Sequence, residues 1–200
     1  MKPCLERIDK HWGAIYQYFI KTLPARAQDP SDKNAQKNAK DAIKTVYYKM
    51  VKETLTKRDC QFWVKVIIFI CERFYGFLTK MQSAGPQIAD LYKDCCDLLF
   101  GVISCLVVEG SLPDKTDTRK LSKFDLSKHN RNIPKMSVSA KDKYSSLSAV
   151  SQDNDKRALR KVYKEIGEYL QNNLKPLDSK LVKNLRVLEP KNCAGLFDGG

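Results

Sequence analysis

Histidine is almost missing from this chain: His11 and His129 are its only two, one inside a helical pattern and one in a polar stretch. No C-x-x-C or H-x-x-x-H spacing occurs, so no pair of ligands reaches one zinc ion from a single turn or helix face. Cys95 and Cys96 are adjacent and point to different helix faces, which disfavours a shared metal. A Cys–His nucleophile is excluded on the same grounds, because nothing places either imidazole beside a thiol. The glycine-rich phosphate loops G-x-x-x-x-G-K and G-x-G-x-x-G are absent as well. With 9 Gly and 8 Pro in 200 residues, neither a collagen-like nor a low-complexity chain is described. Long apolar runs are missing too. The greasiest stretch, Phe62 to Leu78, is interrupted by Lys65, Glu72 and Arg73, whereas a bilayer span needs roughly 20 predominantly apolar residues. No membrane partner and no cofactor are expected.

What is present in excess is positive charge. Lys and Arg number 36 against 23 Asp and Glu, for a net +13. By segment, residues 1–58 carry 13 − 6 = +7, residues 59–110 carry 4 − 6 = −2, residues 111–152 carry 9 − 4 = +5 and residues 153–200 carry 10 − 7 = +3. Such a field attracts phosphate backbones without sequence choice. The seven cysteines are odd in number, and most fall in apolar helical positions, as small core residues do. A disulfide framework is not expected, and neither is secretion. The nucleus or cytoplasm is the expected location.

Apolar periodicity predicts an all-α fold of about six helices in an irregular bundle. Leu5, Ile8, Trp12, Ile15, Phe19 and Leu23 form one face of the first helix, which Pro24 helps to end. Ala39, Ala42, Ile43, Val46, Tyr47, Met50, Val51 and Leu55 line the second. The third, about Cys60 to Met81 and capped by Thr56 or Asp59, is apolar nearly all round, as a buried central helix would be. S-A-G-P-Q then breaks the chain: Ser83 or Gly85 can cap a fourth helix with Pro86 at its first position, which continues through Ile88 to Leu106 until Gly110 and Pro113 close it. Domain limits follow: residues 1–110 form a four-helix part, 111–152 a basic Ser/Lys-rich linker, 153–192 two further helices packing back, and 193–200 a tail. The linker reads as an extended surface segment, partly disordered, with room for a short strand or turn. Asp153 or Asp155 caps the fifth helix, which carries Leu159, Val162, Tyr163, Ile166, Tyr169, Leu170 and Leu174. Asp178 caps the sixth. Asp90, Asp94 and Asp97 follow helical spacing as a solvated acidic stripe.

Basic residues interleave with aromatics twice. Lys44, Lys49, Lys52, Lys57 and Arg58 lie around the second helix, and Lys156, Arg157, Arg160, Lys161 and Lys164 along the fifth. Each set stands opposite an apolar stripe and could track a phosphate backbone; an ordinary solvated face is the plainer reading of each. Tyr47, Trp63 and Tyr163 read as core rather than base-stacking platforms. No catalytic or metal-ligating residue is proposed.

Taken in order, the helical blocks resemble the hAT superfamily of transposases and their transposon-derived relatives. P-C-L-E-R-I-D-K-H-W-G-A-I-Y-Q-Y-F is similar to the stretch that follows that family's T-R-W-L-S-L motif, where the chain enters a helical insertion in an RNase H-like domain. Phe77, Gln82 and Ser83, then Pro86, Ile88, Leu91 and Tyr92, resemble its central helix pair. Y-L-Q-N-N-L-K-P-L with the leucines after it resembles its closing helices, although Lys175 stands where the family often has Leu, before Pro176 and Leu177. The resemblance covers most of residues 3–192 and is weak through 24–45 and 111–152. It implies an all-α insertion without the three metal-binding carboxylates of the catalytic core, hence no enzyme activity. It also implies a chain that is a fragment or remnant, whose partners are DNA, the remainder of such a protein, or a second copy. The rival expectation is a helical protein–protein interaction module with no nucleic-acid role, with Leu196 and Phe197 in an exposed apolar patch.

Overall fold

A computed structural model describes residues 1–82, 88–115 and 118–174. Among these residues the fold is all-α, with more helices than the six expected and no β-strand. The expected sixth helix, its Asp178 cap, the tail with Leu196 and Phe197, and the S-A-G-P-Q break lie outside the described residues. The chain divides into two compact units. Among the described residues, one comprises Met1–Phe69 and Ser137–Gln152, the other those of Ile70–Met136 and of 153–174.

The first unit opens with α1 (Lys2–Lys10) and α2 (Trp12–Tyr16), which passes through a π-helical turn at Gln17–Thr22 into α3 (Leu23–Arg26). Pro24 does not end this helix. Its ring would collide with the carbonyl four residues back in a regular α-turn. The wider π turn just before it relieves the clash, and Thr22 Oγ1 donates to Gln17 O at 3.2 Å. Of the expected apolar face only Leu23 is buried.

The single second helix expected is two. In α4 (Lys33–Lys44), the Asp32 carboxylate accepts from Ala35 N–H at 2.9 Å, a standard N-cap. Thr45 then leaves the helical conformation and caps α5 (Val46–Thr56), accepting from Tyr48 N–H at 3.1 Å while donating to Ala42 O at 2.7 Å. This break resets the helical phase. Tyr48 and Leu55 turn inward, and Val46, Tyr47 and Met50, expected in the core, turn out. Tyr48 stacks on Phe19 with centroids 6.4 Å apart, and its hydroxyl donates to Phe19 O at 3.1 Å. Leu23, Ala27, Ala39 and Tyr48 form the cluster, with Phe19, Ala42 and Ile43 packed against it. Thr56 caps nothing downstream; its hydroxyl donates back to Lys52 O and Glu53 O.

Helix α6 (Cys60–Met81) matches its expected limits but not its expected burial. Phe62 and Val66 are its buried residues, while Ile67, Tyr75 and Leu78 are exposed. An all-round apolar composition shows what a helix would tolerate, not how many neighbours cover it. In the first unit, Phe62 meets Tyr144 of α9 (Val138–Ser145) at 5.7 Å, and Lys65 pairs with Asp9 at 2.6 Å.

In the second unit the buried element is α7 (Ile88–Leu106): Tyr92, Cys95, Leu99, Val102, Ile103, Cys105 and Leu106 are all closed to solvent. It stops before Gly110, because Val107 turns into an antiparallel bridge with Asn130. The second-unit part of the expected linker holds α8 (Thr118–Ser122) and buries Leu121, Leu126, Pro134 and Met136. Much of it is irregular, so its backbone must find partners elsewhere. Some come from the end of α7: Arg131 N–H bonds Leu106 O and Lys135 N–H bonds Cys105 O, each at 2.8 Å. Others come from α10 (Ala149–Asn173). Gln171 Nε2 donates to Leu121 O at 2.9 Å and Phe124 O at 3.0 Å, and Tyr163 OH donates to Lys135 O at 2.9 Å. Gly167 gives this segment room: a Cβ there would lie 2.5 Å from Leu126 Cδ1. Helix α10 begins four residues earlier than Asp153, with Ser148 Oγ accepting from Ser151 N–H at 3.3 Å. Asp153 and Asp155 are therefore interior residues, and Tyr169 is exposed instead of packed.

Removing the Tyr48 hydroxyl tests this account of the first unit. Tyr48→Phe should lower stability by about 1 kcal/mol by deleting one net hydrogen bond. Tyr47→Phe, at the exposed neighbour, should stay within about 0.5 kcal/mol of the parent. Urea unfolding midpoints of the two variants make the comparison, and equal midpoints would refute it.

Candidate nucleic-acid interface

The ten candidate cations fall into two sets in different units, and their surroundings differ. On α10, which belongs from Asp153 onward to the second unit, every one is engaged. Lys156 pairs with Asp153 at 2.9 Å, and Arg157 pairs with the same carboxylate. These hydrogen bonds, that of Lys156 foremost, hold the Asp153 carboxyl below the usual carboxylate range. Lys161 stands 3.8 Å from Glu165, and Lys164 3.7 Å from Glu168, both one helical turn on and both loose, exposed pairs. Arg160 does not face solvent freely. Its guanidinium donates to Arg131 O at 2.9 Å and Asn132 O at 2.7 Å, closing two carbonyls of the irregular segment. It is a structural residue, which periodicity alone could not reveal because its partners lie 28 and 29 positions away.

Around α5 the situation is reversed. Lys44, Lys49, Lys52, Lys57 and Arg58 are all exposed. Lys44 stands 3.9 Å from Asp41, a loose surface pair. Lys49, Lys52, Lys57 and Arg58 make no ion pair among the described residues. Helix α4 adds exposed Lys33, Lys37 and Lys40, which with Lys44 recur at spacings of four and three and so share one face. Residues 33–58 hold eight cations against Asp41 and Glu53, a net +6. The α4 stripe, outside the ten cations named from the sequence, is legible there as a lysine periodicity overlaid on the apolar one.

The acidic stripe expected along α7 is not solvated throughout. Asp94 is not solvated: it is 6% exposed and bonded to Lys80 Nζ at 2.6 Å. That hydrogen bond raises the Lys80 ammonium above its ordinary range, against a smaller opposing effect of burial. Asp97 pairs with Lys115 at 2.8 Å. Both carboxylates line a cleft of about 320 Å³ with Arg73, Phe77, Lys80 and Leu98, where the cations offset them. Among the described residues no group of three or more His, Cys, Asp or Glu stands together to hold a metal. No described helix is long and apolar enough to cross a membrane. The thiols follow the core reading in α7. Burial, reinforced by the neighbouring Asp94 charge, pushes Cys95 up to about 11, and burial also raises Cys105. Burial likewise raises the Tyr163 phenol. No family model, characterised protein or solved structure matches the chain.

Two measurements check this partition. Arg160→Ala should cost about 1.5–3 kcal/mol, the range for hydrogen bonds from a charged donor, read by urea unfolding. Iodoacetamide at mildly alkaline pH should label exposed Cys4 in the folded protein and leave Cys95 and Cys105 untouched until denaturant is added. Early labelling of Cys95, read by peptide mass spectrometry, would contradict its burial.

Proposed function

We propose that this protein contacts nucleic acid without sequence choice, through the cationic edge formed by Lys49, Lys52, Lys57 and Arg58 and the lysine stripe of α4. The observation that carries the reading is the contrast between the two candidate sets. The α5 cations are exposed and outside ion pairs among the described residues, whereas those of α10 are engaged with carboxylates or backbone carbonyls. An exposed, unpaired lysine can release counterions from a phosphate backbone at little cost in lost protein contacts. A lysine already paired with glutamate gives up that pair to do so.

The wider reading that accompanies this proposal is a transposon-derived protein of hAT type, located in the nucleus and without catalytic residues of its own. What supports it is block order: α6 and α7 follow one another along the chain in the order of the resembled helix pair. A second reading, a helical interaction module, draws on the exposed apolar side chains Ile67, Tyr75 and Leu78 of α6. Salt separates the two, since phosphate contact weakens steeply as salt rises and apolar association does not.

Fluorescence anisotropy against a labelled DNA duplex over a salt series tests the proposal. The log–log slope should be about −0.9 for each phosphate neutralised. Changing Lys49, Lys52, Lys57 and Arg58 to Gln should flatten it by roughly 3 to 4. The same change at Lys156, Arg157, Lys161 and Lys164 should leave it within about 1 of the parent. A parent protein that binds no duplex at low salt would sink the proposal.

A further inference from the structure

We propose that α5 recognises single-stranded nucleic acid, with Tyr47 stacking on an unpaired base while Lys49 and Lys52 hold the adjoining phosphates. This rests on the phosphate-contact reading above and names the class of strand that the same surface prefers.

The starting observation is that Tyr47 is 81% exposed, although its sequence neighbour Tyr48 is buried. The Thr45 cap decides between them, by starting α5 in the phase that sends Tyr48 toward Phe19. Tyr47 is not alone on the surface. Val46 is 69% and Met50 60% exposed. Being four residues apart, they form the crest of the helix opposite buried Tyr48 and Leu55. Helical geometry then sets Tyr47 on one flank of that crest. Lys49 and Lys52, three residues apart, share the other flank.

A lone exposed tyrosine needs no explanation. Here an aromatic face, an apolar crest and a cationic edge run side by side within a segment of net +6. That order matches an extended strand lying across the helix: phosphates on the lysine flank, sugar over Val46 and Met50, base on the Tyr47 ring. A duplex cannot use the ring, because its bases are already stacked on one another. Charge complementarity therefore calls for a polyanion, and the exposed ring calls for one with accessible π-faces. An anionic membrane meets the first requirement only. Its binding scales with inserted apolar area, of which this crest offers two aliphatic side chains.

Exposed Tyr169, 66% open on α10, provides an internal contrast. It stands one residue from Glu168 and four from Glu165, carboxylates that would repel a phosphate. Glu53 sits beside Met50 on the α5 crest and opposes the proposed strand, so its neutralisation should tighten binding.

The test compares an oligothymidine single strand with a DNA duplex of equal length at one low salt concentration, by anisotropy, using the full chain. Tyr47→Ala should weaken single-strand binding roughly 5- to 150-fold, the range for losing one stacked base, and change duplex binding less than about 2-fold. Tyr47→Trp should preserve single-strand affinity, Tyr169→Ala should not alter it, and Glu53→Gln should raise it. Equal loss for both ligands with Tyr47→Ala, or no loss for either, overturns the stacking proposal while leaving phosphate contact intact. A parent chain that binds neither ligand removes the phosphate reading beneath it. Tyr47-dependent flotation with phosphatidylserine vesicles, without a Tyr47 effect on the single strand, assigns the surface to a membrane and also overturns the proposal. Because Tyr47 packs outside the core, its variants should fold, and circular dichroism unlike the parent's would itself contradict that placement.

Discussion

The second unit depends on where the backbone groups of an irregular segment find their hydrogen bonds. Residues 123–136 are not in helix, yet Leu126, Pro134 and Met136 are buried. A buried carbonyl without a donor costs about 1–3 kcal/mol, so such a segment persists only if other elements serve it. Helix α10 does this with three side chains, Arg160, Tyr163 and Gln171, spaced along the face that buries Leu159 and Leu170. The C-terminal end of α7 supplies carbonyls to the segment's own N–H groups and so resolves its terminal orphans by the same contacts. His129, at φ 56°, adopts the left-handed conformation that lets its carbonyl meet Val108 N–H at 2.9 Å.

That arrangement decides which cations remain for binding. Arg160 belongs to the scaffold, and the remaining α10 cations sit one turn from Asp or Glu, as solvated helices commonly arrange them. The α4–α5 region has few carboxylates to pair with, so its charge stays on the surface. Two basic stretches of similar composition thus differ in how many acidic residues are woven through them and in which lysines those residues meet. That difference is written in the sequence, but it gains meaning only once both are known to be helical.

In the first unit the comparable decision is made at Thr45. Val46, Tyr47, Tyr48, Met50, Val51 and Leu55 allow more than one apolar face, and a continuous helix through Lys44 favours the face with Tyr47. The cap breaks that continuity, and the Tyr48 hydroxyl reaches Phe19 O. A single hydrogen-bonding threonine exchanges which tyrosine is core and which is surface.

By itself the sequence determined the helical class, the limits of α6, the core character of the α7 thiols and the location of the charge excess. Each follows from local periodicity, side-chain chemistry or arithmetic over neighbouring residues. Only the tertiary structure decided that α7 rather than the equally apolar Cys60–Met81 helix is the buried one, that Asp94 is buried against Lys80, and that Arg160 serves the backbone. It also placed Leu121, Leu126 and Met136 of the Ser/Lys-rich segment in a core. The reason is common to all four. Burial depends on how many neighbours arrive from distant parts of the chain, and a helical repeat records which residues share a face but not what covers it.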